Sequence, residues 1–143
     1  MNRQEVILAG MTPAKGAPHS PVQVQKLFFL IDRNISHLIG AHHFDFKPYD
    51  YGPFDPAVYH ELEALAREQL VDISLNNNWR TYRLTVAGQM QGDTLLAALN
   101  PHARAYIERA SQFVRELSFT QLVSAIYKAY PEMKVNSVFR EPA

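Results

Sequence analysis

Residues 21–39, PVQVQKLFFLIDRNISHLI, are the stretch from which the rest of the chain is read. Val24, Leu27, Phe28, Ile31, Ile35 and Leu38 recur at helical spacing and make one apolar stripe, which Phe29, Leu30 and Ile39 widen beyond a single face. A helix this apolar belongs at the centre of a fold. Ser20 stands at its N-cap, Pro21 at its first position and Gln23 three residues after the cap. This is the pattern of a capping box, which satisfies two backbone N–H groups that would otherwise lack partners. Gly40 is expected to end the helix.

The remainder of the chain is read as packing on that helix. Its 143 residues suit one domain, and with 47% hydrophobic residues it can bury a core without metals or disulfides. There are no cysteines, which excludes disulfides, thiolate chemistry and zinc-finger spacing. Basic and acidic residues balance to zero net charge, so attraction to nucleic acid would have to come from local patches. Wholly apolar runs such as Leu27 to Ile31 are far short of a membrane span, and the start MNRQEVILAG lacks a signal-peptide pattern. A cytoplasmic protein with no membrane partner is expected.

Before the central helix, Arg3 to Gly10 reads as a short helix stopped by Gly10, with Val6, Ile7 and Met11 offered to the core. After it, Phe44 to Tyr49 alternates as a short strand that Pro48 confines to an edge. Tyr51-Gly52-Pro53-Phe54 reads as a turn in which Gly52 is structural. Asp55 then caps a helix to about Gln69, with Pro56 at its first position. Phe54 is placed to staple against Tyr59, and Val58, Leu62, Leu65 and Ala66 form the inner face. Val71 to Leu84 reads as a β-hairpin turned by Asn76, Asn77 and Asn78, with Tyr82 and Leu84 inward. Thr85 to Leu99 is a weaker helix, since Gly88 and Gly92 each cost about 1 kcal/mol relative to Ala. Asn100 starts a surer one, and Ser118 with Gln121 repeats the capping box. The tail beyond Pro131 is expected to be loose. The predicted class is mainly α with a small β-hairpin. Helix, short strand, helix, hairpin is the order of a winged helix, here followed by C-terminal helices over about 100–130.

Few residues suggest chemistry. His42, His43 and Asp45 are the most ligand-like cluster, but adjacent strand residues point to opposite faces. His60-Glu61 begins a zinc-protease motif whose second histidine is replaced by Ala64. Tyr49, Asp50 and Tyr51 are better read as a loop anchored by buried tyrosines than as a proton-transfer group. The chain is therefore expected not to be an enzyme, with no cofactor, catalytic residue or metal ligand. For DNA the helix starting at Asp55 has the wrong sign, with Asp55, Glu61, Glu63 and Glu68 against Arg67 alone. Glu108 and Glu116 interrupt the basic stripe that Arg80, Arg83, Arg104, Arg109 and Arg115 would make. Trp79, beside a polar turn, suits an interface anchor.

Three motifs carry a resemblance: Gln25-Lys26-Leu27-Phe28-Phe29-Leu30, then Pro48-Tyr49-Asp50-Tyr51-Gly52-Pro53-Phe54, then Val58-Tyr59 and Leu62 through Leu65 to Leu70-Val71. Together they resemble the Panacea-domain family of SocA-like antitoxins and phage-associated proteins, over about residues 22–88. The resemblance implies a mostly helical, non-enzymatic protein that neutralises a toxin or delivers one to a protease. The expected function is a protein-interaction module of this kind, whose partner is a protein such as a toxin encoded nearby. Tyr49, Tyr51, Phe54, Trp79 and Arg80 are its contact residues. The alternative is a winged-helix transcription regulator; DNA is disfavoured as a partner, and a homodimer is allowed in either case.

Overall fold

A computed structural model of the chain describes residues 1–140. Its centre is a helix (α2, Pro21–Ile35) with Val24 to Asp32 buried on every side. The capping box forms as expected: Gln23 N–H donates to Ser20 Oγ at 3.2 Å and Ser20 N–H to Gln23 Oε1 at 2.8 Å. The α-helix stops at Ile35, short of Ile39, and Ser36–Leu38 tightens into a 3₁₀ turn before Gly40 reverses the chain at φ 110°.

The first helix (α1, Arg3–Met11) lies against α2 and runs on into a 3₁₀ turn, Thr12–Ala14. It has a capping box of its own, Asn2 with Glu5. Gly10 does not stop it. A Cβ there would stand 2.5 Å from the Phe28 ring, so glycine is what allows α1 to approach α2.

The described residues form two antiparallel sheets of two strands each, where one hairpin was expected. The additional pair is β1 (Lys47–Tyr49) and β2 (Gly52–Phe54), turning at Asp50-Tyr51, with Pro48 opposite Pro53. The segment expected as a strand from Phe44 thus pairs only from Lys47, and the expected turn Tyr51 to Phe54 is mostly strand. Gly52 has φ 104°, a conformation that a β-branched side chain would strain.

Asp55 caps α3 (Pro56–Arg67), and the Phe54 and Tyr59 rings meet at 5.8 Å, forming the expected staple. Val58, Leu62 and Leu65 face the core. The second hairpin, β3 (Val71–Asn76) and β4 (Trp79–Leu84), turns on Asn77 and Asn78 alone, both at positive φ, with Asn76 paired to Trp79. Tyr82 and Leu84 are buried. Leu75, near the hairpin tip, is exposed. His19, wholly enclosed, exchanges both backbone hydrogen bonds with Tyr82 and ties β4 to the start of α2.

Three helices complete the fold: α4 (Val86–Ala97), α5 (Pro101–Glu116) and α6 (Phe119–Ala129). The glycines that weaken α4 by propensity are its contact points. A Cβ on Gly88 would overlap the Leu70 carbonyl, and one on Gly92 would overlap Thr12 Oγ1 and stand 2.8 Å from the Leu8 carbonyl oxygen. The segment after Pro131 is not loose: Ser137 and Val138 are hydrogen-bonded to the Asp50 carbonyl, and Phe139 packs on Phe119 and Tyr127. The tail residues 141–143 lie outside the described part. One hydrophobic cluster runs from Val6 to Met133. Among the described residues no helix is long and apolar enough to cross a membrane.

Two substitutions test this packing. Phe28→Ala, at a fully buried position, should cost about 3–5 kcal/mol in denaturant titration. Gly92→Ala separates packing from propensity: helix propensity alone favours alanine by about 1 kcal/mol, whereas overpacking against α1 should reverse the sign and cost about 1–3 kcal/mol. A Gly92→Ala protein as stable as the parent would mean that α4 does not approach α1 so closely.

Candidate functional site

From Val24 to Asp32 the helix α2 is buried all round, yet it carries Gln25 and Lys26 in its second turn. Polar groups removed from water need partners, and here the first hairpin supplies them. Gln25 Nε2 donates to the Asp55 carbonyl and Asp55 N–H donates back to Gln25 Oε1, both at 3.0 Å. The Asp55 carboxylate accepts from Ala57 N–H at 2.9 Å and from Asp45 N–H at 2.7 Å. Lys26 Nζ donates to the Pro53 carbonyl at 3.3 Å.

Where the hairpin crosses α2 it leaves a cavity of about 590 Å³. Ser20 to Val22, Gln25 and Lys26 form its floor, and residues Tyr49–Gly52 and Phe54 form one wall. Tyr59, Trp79 of β4 and Phe119 of α6 close the rest. The lining is mostly apolar. Tyr49 packs on Phe54 at 5.1 Å and Tyr51 on Phe119 at 5.1 Å, both ring pairs keeping an exposed side. Trp79 is 71% exposed. The tyrosines of this loop are thus not the buried anchors expected; the loop is held by Gln25, Lys26 and the tail, which frees its rings for the surface.

Lys26 is the one cation on the cavity floor. It is 3% exposed, and none of the ion pairs among the described residues includes it. Burial pulls its pKa down to about 7. Its neighbour across the cavity, Tyr59, is pushed up to about 12, first by burial and then by Tyr82, and stays a neutral hydroxyl.

Of the residues expected to contact a partner, Tyr49, Tyr51, Phe54 and Trp79 are brought together around this cavity, although thirty residues of chain separate the first from the last. Arg80 is not among them. It lies on the far side of Trp79, in a second groove with Leu75 and Tyr59, and pairs with Glu63 at 3.5 Å. The reading from residues alone missed Lys26, Gln25 and Phe119 as site residues. For the first two a signal existed: an amide and an amine inside an otherwise apolar helix must be satisfied by something.

The other clusters have structural partners. Asp32 accepts from His43 N–H at 2.6 Å and meets His42 Nδ1 at 3.0 Å, while Asp45 pairs with Lys47 at 3.2 Å, so the three residues do not converge. Among the described residues no group of three or more His, Asp or Glu is placed to hold a metal ion.

The buried amine gives a pH signature with a definite sign. The folded pKa of about 7 lies below the ordinary lysine value of 10.5, so between these pH values the unfolded chain holds a proton that the folded chain does not. The cost of burying the charge is fully present below pH 7 and is relieved as pH rises, by up to about 1.4 kcal/mol per unit. Lys26→Met should therefore be more stable than the parent at pH 6.5, with the difference shrinking toward pH 10. Parallel denaturation profiles for the two proteins across that range would contradict the burial of a titrating amine.

No protein-family model matches this chain, and comparison with curated proteins and with solved structures likewise finds no match.

Proposed function

We propose that this chain is a protein-interaction module that holds a segment of a partner protein in the aromatic cavity between α2, the first hairpin, Trp79 and Phe119. The observation that carries this is the convergence of Tyr49, Tyr51, Phe54 and Trp79 on one concave surface with Tyr49, Tyr51 and Trp79 exposed. Large rings that give up burial in a small fold are the residue types that carry interface energy. The biological form of the interaction that we propose is that of an antitoxin or protease adaptor acting on a toxin encoded nearby, in line with the Panacea-domain resemblance of residues 22–88.

We read the N-terminal part as winged-helix-like, with α3 in the place of a recognition helix and Asn77-Asn78 at the wing tip. The charges weigh against DNA as the partner. Arg80 and Arg83 of the wing are engaged by Glu63 and Asp72, the latter at 2.9 Å, and α3 presents acidic side chains where phosphates would lie.

The test is co-expression with the protein encoded in the adjacent reading frame, followed by growth and co-purification. The parent should bind that protein and restore growth. Trp79→Ala should lose the complex, with its own stability within about 0.5 kcal/mol of the parent because the side chain is exposed. A sequence-specific complex with duplex DNA at nanomolar concentration, insensitive to Trp79→Ala, would overturn the proposal in favour of a transcription regulator.

A further inference from the structure

The cavity described above is lined by one buried amine, Lys26, and by one exposed carboxylate, Asp50, and the buried amine bears on what enters it. Among the described residues Lys26 has a single acceptor, the Pro53 carbonyl, for an amine that can donate three hydrogen bonds. It stands at the cavity floor with no carboxylate paired to it among the described residues. The position is held closely. Gly52 lies over it, and a Cβ there would come within 3.5 Å of Nζ and 3.3 Å of the Tyr127 ring.

One buried cation among mostly apolar walls matches one negative charge. A phosphate dianion would need a second cation, and the nearest arginine of the neighbouring groove, Arg80, is engaged by Glu63. The surface also exceeds what a small carboxylate would cover. Trp79, Tyr59 and Pro21 line both this cavity and the groove beyond, where Leu75 lies 70% exposed. Two adjoining grooves that share these rings, with a recessed amine in one of them, fit a chain-like occupant.

We propose that Lys26 is the anchor for an aspartate or glutamate side chain of the partner segment, whose carboxylate enters the cavity while its apolar neighbours lie on Trp79, Tyr51 and Phe119. This rests on the interaction reading above and adds the chemistry of the partner: an acidic residue flanked by apolar ones. The anchor lies deep and the rings lie at the rim, so the charge selects the partner and the rings supply contact area.

Trp79 is the only tryptophan of the chain, so its fluorescence reports occupancy directly. The probe is an N-acetylated, C-amidated pentapeptide, serine-phenylalanine-glutamate-leucine-serine, compared with its glutamine counterpart and with sodium benzoate in the full chain. The glutamate peptide should bind at least tenfold more tightly than the glutamine peptide. That preference should vanish in Lys26→Met, whose thermal stability at neutral pH should equal or exceed the parent's; Lys26→Gln provides a second variant should the methionine protein fold poorly. Equal affinity for the two peptides, or an unchanged preference in a folded Lys26 variant, would overturn the carboxylate anchor and leave the interaction surface standing. Benzoate bound with neither peptide bound would overturn both and make the cavity a small-carboxylate site. Failure of all three probes to bind would overturn the anchor.

Discussion

The fold depends on how an almost wholly buried helix accommodates the two polar residues of its second turn. Gln25 and Lys26 cannot reach water from α2, and an unpaired buried amide or amine costs about 1–3 kcal/mol or more. Both donate to backbone carbonyls of one short segment, Gln25 to Asp55 and Lys26 to Pro53. That segment is consequently fixed in position and orientation. Its carboxylate at Asp55 in turn caps α3 and holds Asp45, so the path of the chain on both sides of the first hairpin follows from the second turn of α2.

Aromatic contacts extend the same constraint outward. Phe54, clamped beside Asp55, touches Tyr49 and Tyr59, and Tyr59 stacks on Tyr82 at 6.0 Å with the rings nearly parallel. On the other side Tyr51 meets Phe119, which meets Phe139, and Phe139 meets Tyr127. The segment after Pro131 closes the circuit through Asp50. Elements distant in sequence therefore share one wall of rings. The cavity is what remains where the rings cannot fill the gap between hairpin and helix.

Close approach of helices is managed with glycine and not with long apolar side chains. Gly10 admits the Phe28 ring, Gly88 the Leu70 carbonyl and Gly92 the α1–turn junction at Leu8 and Thr12. Each position sacrifices helix propensity to bring backbones together, a trade that tertiary packing can sustain because propensity differences amount to about 1 kcal/mol. Charged groups behave similarly at the surface. Arg33 with Glu132, Arg80 with Glu63 and Arg83 with Asp72 pair locally. Such exposed pairs add little stability.

The sequence by itself determined the elements whose signals are local. The capping boxes at Ser20 and Ser118, the Asp55-Pro56 helix start, the Phe54–Tyr59 staple, the buried face of α2 and the Asn-rich hairpin follow from spacings of two to four residues, and the structure reproduces them. That Gly52 is structural was also read there, and Tyr49, Tyr51, Phe54 and Trp79, without Tyr59 and Phe119, were singled out as contact residues. Only tertiary structure decided the first hairpin, because two prolines facing each other across a pair leave almost no ladder signal to read. It also decided whether a glycine ends a helix or admits a neighbour, since this depends on what stands 3 Å away and not on the residues beside it. Lys26 is the clearest case. Its place in the helix was plain, but its lack of a carboxylate partner and its position on a cavity floor arise from elements that meet it only after the chain has folded.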